Sequence, residues 1–287
     1  METDFTIFRE APIWKDKISK KVEQKQDIID VSNAEYPLGL LPSDLFPPSD
    51  LLQVQRLLPF IPCNKYENTD ETEDVRVWGR PFVDSKSINE HLQQNPNTQF
   101  YTLVMPIFKR IKSYFESMGF NVAPLIDSAT MLPYSYMVAR MISVPANCVK
   151  NDGNKCTVLH FDDWLRDAML KSDFSEARLP IGIEPNNYSQ FSVCIPIGNG
   201  LFTPDYLEVY NYRYFPKDRM ELSNWRVNKE RIGGISTHKH IPINGQPYFF
   251  NTQNCHDVLG GDSRSKRINI SVFFIYVKET NTLYPYN

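Results

Sequence analysis

The stretch from Asn254 to Phe274, NCHDVLGGDSRSKRINISVFF, decides the fold. Its second half alternates polar and apolar residues, and successive side chains of a strand point to opposite faces. One face would therefore carry Arg267, Asn269, Ser271 and Phe273, and the other Ile268, Ile270, Val272 and Phe274. The pair Gly260-Gly261 supplies a turn that folds this strand back beside His256. The stretch thus predicts a hairpin whose mouth holds a histidine and an arginine, on a face that meets solvent or a ligand.

Charge and cysteine usage limit the classes of partner. The chain has 287 residues, with 31 Lys and Arg against 34 Asp and Glu, and a formal net charge of −3. This balance lacks the basic footprint of a protein that binds nucleic acid or a membrane surface. The five cysteines are odd in number and form no C-x-x-C pair, so neither a disulfide framework nor a zinc ribbon is indicated. No apolar stretch approaches the length of a membrane span, and we expect a soluble cytoplasmic protein.

The texture of the chain changes near residue 130. Residues 1–130 are predicted to be mainly helical, with helices over 14–29, 50–58 and 100–118, the last ending at Gly119. Residues 131–287 contain short alternating or apolar runs typical of strands, at 134–144, 155–161, 189–197, 206–215, 247–251 and 267–277. We expect a single catalytic domain over 1–287, in which the helical part supports an all-β core.

Three residues of the β half suggest a metal site. His160 and Asp162 lie two apart on a predicted strand and so point the same way. Together with His256 they offer two imidazoles and one carboxylate, a ligand set typical of non-heme Fe(II) oxygenases. Arg267 could then grip the far carboxylate of a bound 2-oxo acid, because guanidinium binds carboxylate in a bidentate manner.

This pattern resembles the 2-oxoglutarate and Fe(II)-dependent dioxygenase superfamily. The resemblance covers 134–277 and consists of the H-x-D in VLHFDDW, the approach GQPYFFNTQNCHDV to the second histidine, and an arginine that opens the next strand. It implies a mainly β fold with α, a double-stranded β-helix (jelly roll) of the cupin-like type. It also implies that His160, Asp162 and His256 are the iron ligands and that Arg267 binds 2-oxoglutarate.

The same resemblance implies an activity. Oxidative decarboxylation of 2-oxoglutarate, with consumption of O2, would be coupled to oxidation of a substrate C–H bond. The segments SQFSVCIPIGNG and LEVYNYRY are similar to the small-metabolite hydroxylases and halogenases of the superfamily. Halogenases carry glycine or alanine in place of the carboxylate ligand, so Asp162 disfavours halogenation. The implied outcome is hydroxylation, desaturation or ring closure of a specialised metabolite.

Several residues compete with these assignments. Arg264 rivals Arg267, but it falls in the predicted turn, whereas Arg267 is in phase with the strand. Asp163 should point away from His160. His238 and His240 form an H-x-H pair like that of a cupin, yet no glutamate follows closely, which favours two exposed histidines after a loop.

Substrate-binding residues are the least defined part of the prediction. Arg140 lies in an otherwise apolar strand on the face shared by Tyr136, where it could meet a carboxylate or, at the sheet edge, reach water by snorkelling. Trp164 and Tyr210 could line a pocket, although aromatic residues more often belong to a core. Two other functions stay open: a peptidyl or protein hydroxylase with an open groove, and a metal-free jelly-roll binding module.

Overall fold

The chain is described from a computed structural model. The description covers residues 14–66, 74–79, 98–126, 131, 133–134, 137–143, 162, 183, 187–198, 206–213, 234–259 and 266–286. The predicted strand at 155–161, the turn at Gly260-Gly261 and most of the two long interruptions that follow Asp162 and Arg213 lie outside these residues.

Three α-helices lie in the described residues before 130. They are α1 (Lys25–Ser32), α2 (Pro48–Leu57) and α3 (Thr98–Ser117), and a 3-10 turn at Leu58–Phe60 continues α2. The end of α3 confirms the sequence prediction: Gly119 has φ +85°, the N–H of Phe120 donates to the carbonyl of Phe115 (3.1 Å), and that of Gly119 donates to Glu116 (3.0 Å). This is the Schellman arrangement, in which a glycine in the left-handed region closes a helix.

The strands of the described residues run from the N-terminal part to residue 286. In chain order they are β1 (Lys20–Lys21), β2 (Gly39–Leu40), β3 (Asn64–Tyr66), β4 (Asp74–Gly79), β5 (Asn121–Val122), β6 (Val138–Ser143), β7 (Tyr188–Gly198), β8 (Tyr206–Arg213), β9 (Thr237–His240), β10 (Tyr248–Asn251), β11 (Asn254–Leu259), β12 (Lys266–Val277) and β13 (Thr282–Tyr286). The runs predicted at 189–197, 206–215, 247–251 and 267–277 therefore coincide with β7, β8, β10 and β12.

The strands form two sheets between which the chain passes repeatedly. The larger sheet has the order β1-β2-β10-β7-β12-β6-β4-β3, with β13 beside β12 and β5 beside β13. The smaller sheet has the order β11-β8-β9. Going along the chain, β7 is in the larger sheet, β8 and β9 are in the smaller, β10 is in the larger, β11 is in the smaller and β12 is in the larger. This alternation between two antiparallel sheets defines a double-stranded β-helix, or jelly roll, and confirms the predicted fold class.

The helices cover the outer face of the larger sheet. One buried cluster joins the three helices to that face, and it includes Ile28, Val31, Val54, Val104, Ile107, Ile111, Phe115, Phe191, Val193, Ile195, Phe249, Ile268, Ile270, Val272 and Phe274. Phe115 is central, because its ring makes edge contacts with those of Phe191 (6.1 Å) and Phe274 (5.1 Å). The apolar face predicted for β12 is therefore the face that packs under the helical layer.

The two sheets meet through a second cluster on the other face of the larger sheet. It contains Trp14, Leu38, Cys194, Leu207, Val209, Tyr248, Phe250 and Val258, which come from β7, β10, β8, β11 and the N-terminal segment. Because Cys194 alternates with the helix-facing residues of β7, this inner cluster lies inside the sandwich. On β12, Ser271 pairs with Cys194 of the inner cluster, so the predicted polar face that carries Asn269 and Ser271 is the inner face of the sheet.

The predicted helix over 14–29 is wrong in its first half. Residues 20–21 form β1, which pairs in parallel with β2, and Trp14 is buried in the inner cluster. The helix begins only at Lys25, because Asp27 accepts hydrogen bonds from the main-chain N–H groups of Glu23 and Gln24 (both 3.0 Å) and so fixes the start of α1. The division into a helical part and a β part stays a prediction, and the structure adds five short strands to the described residues before 130.

No helix in the described part of the chain is long and apolar enough to cross a membrane.

Candidate metal centre

His256 lies near the start of β11, on the face that looks into the sandwich. Its register partner on β8 is Val209, which belongs to the inner cluster, and the ring of Phe250 packs against its imidazole at 4.9 Å. The residue is 3% exposed. The histidine is therefore held in a largely apolar wall at the point where β10 turns into β11.

The tautomer of His256 follows from its main-chain contact. Nδ1 lies 2.9 Å from the carbonyl oxygen of Asn254. Because a carbonyl can only accept, Nδ1 carries the proton and donates it, and in the neutral imidazole Nε2 is left with its lone pair. An imidazole fixed in this way by a main-chain carbonyl is a typical metal ligand.

Asp162 faces that lone pair. Its Oδ2 is 3.5 Å from Nε2 of His256, and the two side chains are 14% and 4% exposed. The main-chain N–H of Asp162 donates to the carbonyl of Thr252 (2.9 Å), which attaches this residue to the turn between β10 and β11. Two groups far apart in the sequence are thus brought together.

The donor set fits a bound cation. A neutral imidazole and a carboxylate present acceptors to each other, and two acceptors do not bind without a proton or a cation between them. Bonds of about 2 Å place two ligand atoms about 3 Å apart at a right angle and about 4 Å apart in line, and 3.5 Å lies within that span. A charge-assisted hydrogen bond would be shorter, at about 2.7–2.9 Å.

The other predicted site residues are described only in part. His160, Tyr136 and Trp164 lie outside the described residues, and no group of three or more histidine, cysteine or acidic side chains stands together within the residues that are described. Of Arg140 and Arg267 the structure describes the strand positions: Arg267 pairs with Ile142, and Arg140 pairs with Asn269. These two arginines thus occupy neighbouring strands of the larger sheet, and their roles stay predictions.

Two of the polar residues predicted on one face of β12 are buried. The side-chain amide of Asn269 donates to Oγ of Ser271 (2.9 Å), and the two residues are 9% and 4% exposed. On the neighbouring β7, Ser192 and Cys194 lie 3.6 Å apart through Oγ and Sγ. The inner face of the larger sheet is thus lined in part by buried polar groups. The cysteines of the described residues, Cys63, Cys194 and Cys255, form no disulfide.

The interpretation of His238 and His240 as exposed histidines is wrong. Nδ1 of His238 contacts the carbonyl of Lys17 (2.9 Å), and Nε2 contacts Oγ of Ser19 (3.0 Å), so this side chain ties β9 to the N-terminal segment. His240 is 9% exposed and packs on the ring of Tyr248 at 4.6 Å. Sequence reasoning missed the contacts of His238 because Lys17 and Ser19 are more than 200 residues away in the chain.

Tyr210 belongs to a different environment from the proposed pocket. Its hydroxyl donates to Glu208 (2.8 Å), and it alternates along β8 with Val209 of the inner cluster. Its side chain therefore lies on the opposite face of the smaller sheet. Burial, followed by the nearby carboxylate of Glu208, raises the pKa of Tyr210 well above its usual range.

No family model matches this chain, and none of the curated proteins matches it. Solved structures that resemble it over most of its length include an N-substituted L-amino acid dioxygenase from Burkholderia ambifaria (11% identity, 91% of each chain, TM-score 0.48). Another is SnoN, a non-heme alpha-ketoglutarate-dependent epimerase from nogalamycin biosynthesis (9% identity, 86% of this chain and 80% of that chain, TM-score 0.48). A third is an oxidoreductase of the 2OG-Fe(II) oxygenase family from Burkholderia pseudomallei (13% identity, 90% and 95%, TM-score 0.47).

Proposed function

We propose that the protein is an Fe(II)- and 2-oxoglutarate-dependent oxygenase that oxidises a C–H bond of a small metabolite. The observation that carries the proposal is the pair formed by His256 and Asp162, in which a fixed imidazole lone pair faces a carboxylate inside a jelly roll. The rest of the ligand set comes from the sequence, with His160 as third ligand and Arg267 as the residue that binds the far carboxylate of 2-oxoglutarate.

The protein's part in such a reaction is to hold and orient. Bound Fe(II) would supply the activation of O2 that is coupled to decarboxylation of 2-oxoglutarate to succinate and to oxidation of the substrate. His256 holds its lone pair towards the iron position because Asn254 keeps the proton on Nδ1. Asp162 supplies the negative charge that favours a divalent cation. Phe250 and Val258, in the buried inner cluster, keep water from one side of the site.

The reaction outcome that we propose is hydroxylation, desaturation or oxidative ring closure. The presence of Asp162 supports this choice over halogenation, because its carboxylate occupies the position that a halide would need. Two of the solved structures that resemble this chain are named as an N-substituted L-amino acid dioxygenase and as an epimerase from nogalamycin biosynthesis. Both names are those of enzymes with small-molecule substrates. We place the enzyme among those of specialised metabolism in the cytoplasm.

The decisive test is anaerobic and needs no substrate. Fe(II) and 2-oxoglutarate are added to metal-free protein, and the weak visible charge-transfer band of the chelated cosubstrate is recorded. We expect the band in the wild type and its absence in His256→Ala. His238→Ala is the matched control, because this histidine binds the N-terminal segment and should leave the band unchanged.

The outcomes separate the three functions. A band followed by succinate release with small metabolites supports the proposal, and product mass then identifies the reaction. Succinate release with peptides alone would favour the peptidyl hydroxylase. Well-folded wild-type protein without a band would contradict the metal site and favour the metal-free binding module.

A further inference from the structure

We infer that the Asn251–Asn254 turn between β10 and β11 is the common support of both described metal ligands, and that Thr252 is the positioning residue for Asp162. The inference rests on the proposed function, because it concerns the same metal site. It assigns roles to residues that are not among the predicted metal ligands or substrate-binding residues.

Thr252 holds Asp162 through the main chain. The carbonyl of Thr252 accepts the N–H of Asp162 (2.9 Å), and its hydroxyl donates to the carbonyl of Asp162 (3.0 Å). Two hydrogen bonds from one residue therefore fix both main-chain polar groups of the ligand. Thr252 itself is fully buried, so water does not compete for these contacts.

Gln190 on β7 completes the support. Its side-chain N–H groups donate to Oγ1 of Thr252 (2.7 Å) and to the carbonyl of Asp162. Its side-chain oxygen accepts the hydroxyl of Tyr286 on β13, and its main-chain carbonyl accepts the N–H of Thr252 (3.2 Å). Each donor and acceptor of this buried amide thus has a partner, which fixes its orientation and, through it, that of the Thr252 hydroxyl.

Side-chain hydrogen bonds of Asn251 fix the turn itself. The side-chain amide of Asn251 donates to the carbonyl of Ser32 at the end of α1, and its oxygen accepts the N–H of Gln253 (2.8 Å). Asn251, Thr252, Gln253 and Asn254 are all buried. An asparagine that bonds to the main chain two residues on is a typical turn former, and here it also attaches the turn to the helical layer.

The other end of the turn orients the second ligand. The carbonyl of Asn254 accepts Nδ1–H of His256 (2.9 Å). Asp162 and His256 are thus both bonded to one four-residue turn, and a displacement of that turn would move them together. The consequence is that the 3.5 Å separation of Oδ2 and Nε2 depends on Thr252, Gln190 and Tyr286 as well as on the ligands.

The test compares Thr252→Val with Thr252→Ser in the full-length protein. Valine keeps the shape of threonine and removes the hydroxyl, whereas serine keeps the hydroxyl. The control is Thr282→Val, since the hydroxyl of Thr282 also donates to a main-chain carbonyl (Thr280, 3.1 Å) in a buried position on β13. The probe is Co(II), added anaerobically, whose dissociation constant and ligand-field spectrum are measured beside the melting temperature of the metal-free protein.

We expect Thr252→Val to weaken Co(II) binding by about 10- to 100-fold, as the loss of supporting residues does at other metal sites, and to change the ligand-field spectrum. Thr252→Ser should restore affinity and spectrum, and Thr282→Val should leave both at the wild-type values. Tyr286→Phe is a second variant that removes only the outermost hydrogen bond, and it should weaken binding by a smaller factor.

Three results would overturn the inference. Wild-type affinity and spectrum in both Thr252→Val and Tyr286→Phe would overturn it alone and leave the proposed function standing. Equal losses in Thr252→Val and Thr282→Val would reduce the effect to general destabilisation. Absence of Co(II) binding by the wild type, with His256→Ala unchanged from it, would overturn the metal site and the inference together.

Discussion

At the residue scale, the carboxylate of Asp162 is the group whose charge matters most to the proposed centre. Replacing it by an amide in Asp162→Asn keeps the shape but removes the charge that faces Nε2 of His256. Loss of a residue that supports a metal ligand typically lowers activity by about 10- to 100-fold, and we expect succinate release to fall by more than this in Asp162→Asn. The charge-transfer band should be lost as well. The neighbouring Asp163→Asn is the matched control, because the sequence predicts that Asp163 points away from His160. Equal losses in the two variants would contradict the assignment of Asp162.

His240 gives a second prediction at this scale, on stability. Burial, with a smaller effect of the nearby His238, lowers the pKa of His240 from 6.5 to about 4. Between these values the unfolded chain binds a proton that the folded protein does not, so stability is full above pH 6.5 and falls as the pH drops towards 4. For metal-free protein we expect the free energy of unfolding to be lower at about pH 5 than at neutral pH, by about 2 kcal/mol.

Urea unfolding at the two pH values measures this difference. His240→Gln should remove most of it, because glutamine does not titrate. Lys239→Gln, on the exposed side of the same strand, should keep it, because this variant leaves His240 in place. A wild-type free energy of unfolding that does not change with pH would contradict the prediction.

At the element scale, Asp27 fixes the beginning of α1. Its carboxylate accepts the N–H groups of Glu23 and Gln24 and contacts Lys20 at 3.1 Å. Burial alone would raise the pKa of Asp27, but these hydrogen bonds and the lysine outweigh it and hold the pKa below 3.8. Asp27→Ala should lower the free energy of unfolding by about 1–2 kcal/mol at neutral pH.

The sign of the pH dependence follows from the lowered pKa. The stabilisation by Asp27 is present above pH 3.8, where the unfolded carboxyl is ionised, and is lost as the pH falls through the lower pKa of the folded state. Chemical unfolding as a function of pH checks this: the difference between wild type and Asp27→Ala should shrink in acid. Asp30→Ala, which removes a half-buried carboxylate of the same helix that bonds to the side chain of Gln26, is the control and should have a small effect.

Elements with a strong period were predictable, and contacts between distant residues were not. The alternation in β12 and the three-and-four spacing of apolar residues in α3 each predict which face is buried. Both predictions agree with the structure. The segment from Trp14 to Gln24 has helical composition, but pairing of Lys20 and Lys21 with β2 and burial of Trp14 determine its conformation. Tertiary contacts overrode propensity there.

The same distinction applies to the site. His256 and Asp162 were predicted as ligands because histidine and aspartate are residue types that bind metal ions. Gln190, Thr252 and Tyr286 are ordinary polar residues in sequence, and they meet only when the strands β7 and β13 and the turn that contains Thr252 come together. A hydrogen-bond network of this kind has no local sequence pattern.

At the scale of the whole molecule, metal binding and folding should be coupled. Asp162 and His256 are separated by almost a hundred residues of chain and meet only when β7, β10 and β11 are in place, so the unfolded chain offers no preformed site. A ligand that binds only the folded state at about 100 times its dissociation constant stabilises that state by about 2.7 kcal/mol. For a chain of this size, Fe(II) with 2-oxoglutarate should therefore raise the melting temperature by about 5 °C or more.

Anaerobic thermal unfolding with and without Fe(II) and 2-oxoglutarate measures this coupling. His256→Ala and Thr252→Val separate its two sources: the first removes a ligand and should abolish the shift, whereas the second loosens the support and should reduce it. The shift in Thr252→Ser should match that of the wild type, because the hydroxyl that donates to Asp162 is retained. If His256→Ala shows the same increase in melting temperature as the wild type, the cation binds elsewhere on the protein. That result would contradict a metal site inside the jelly roll.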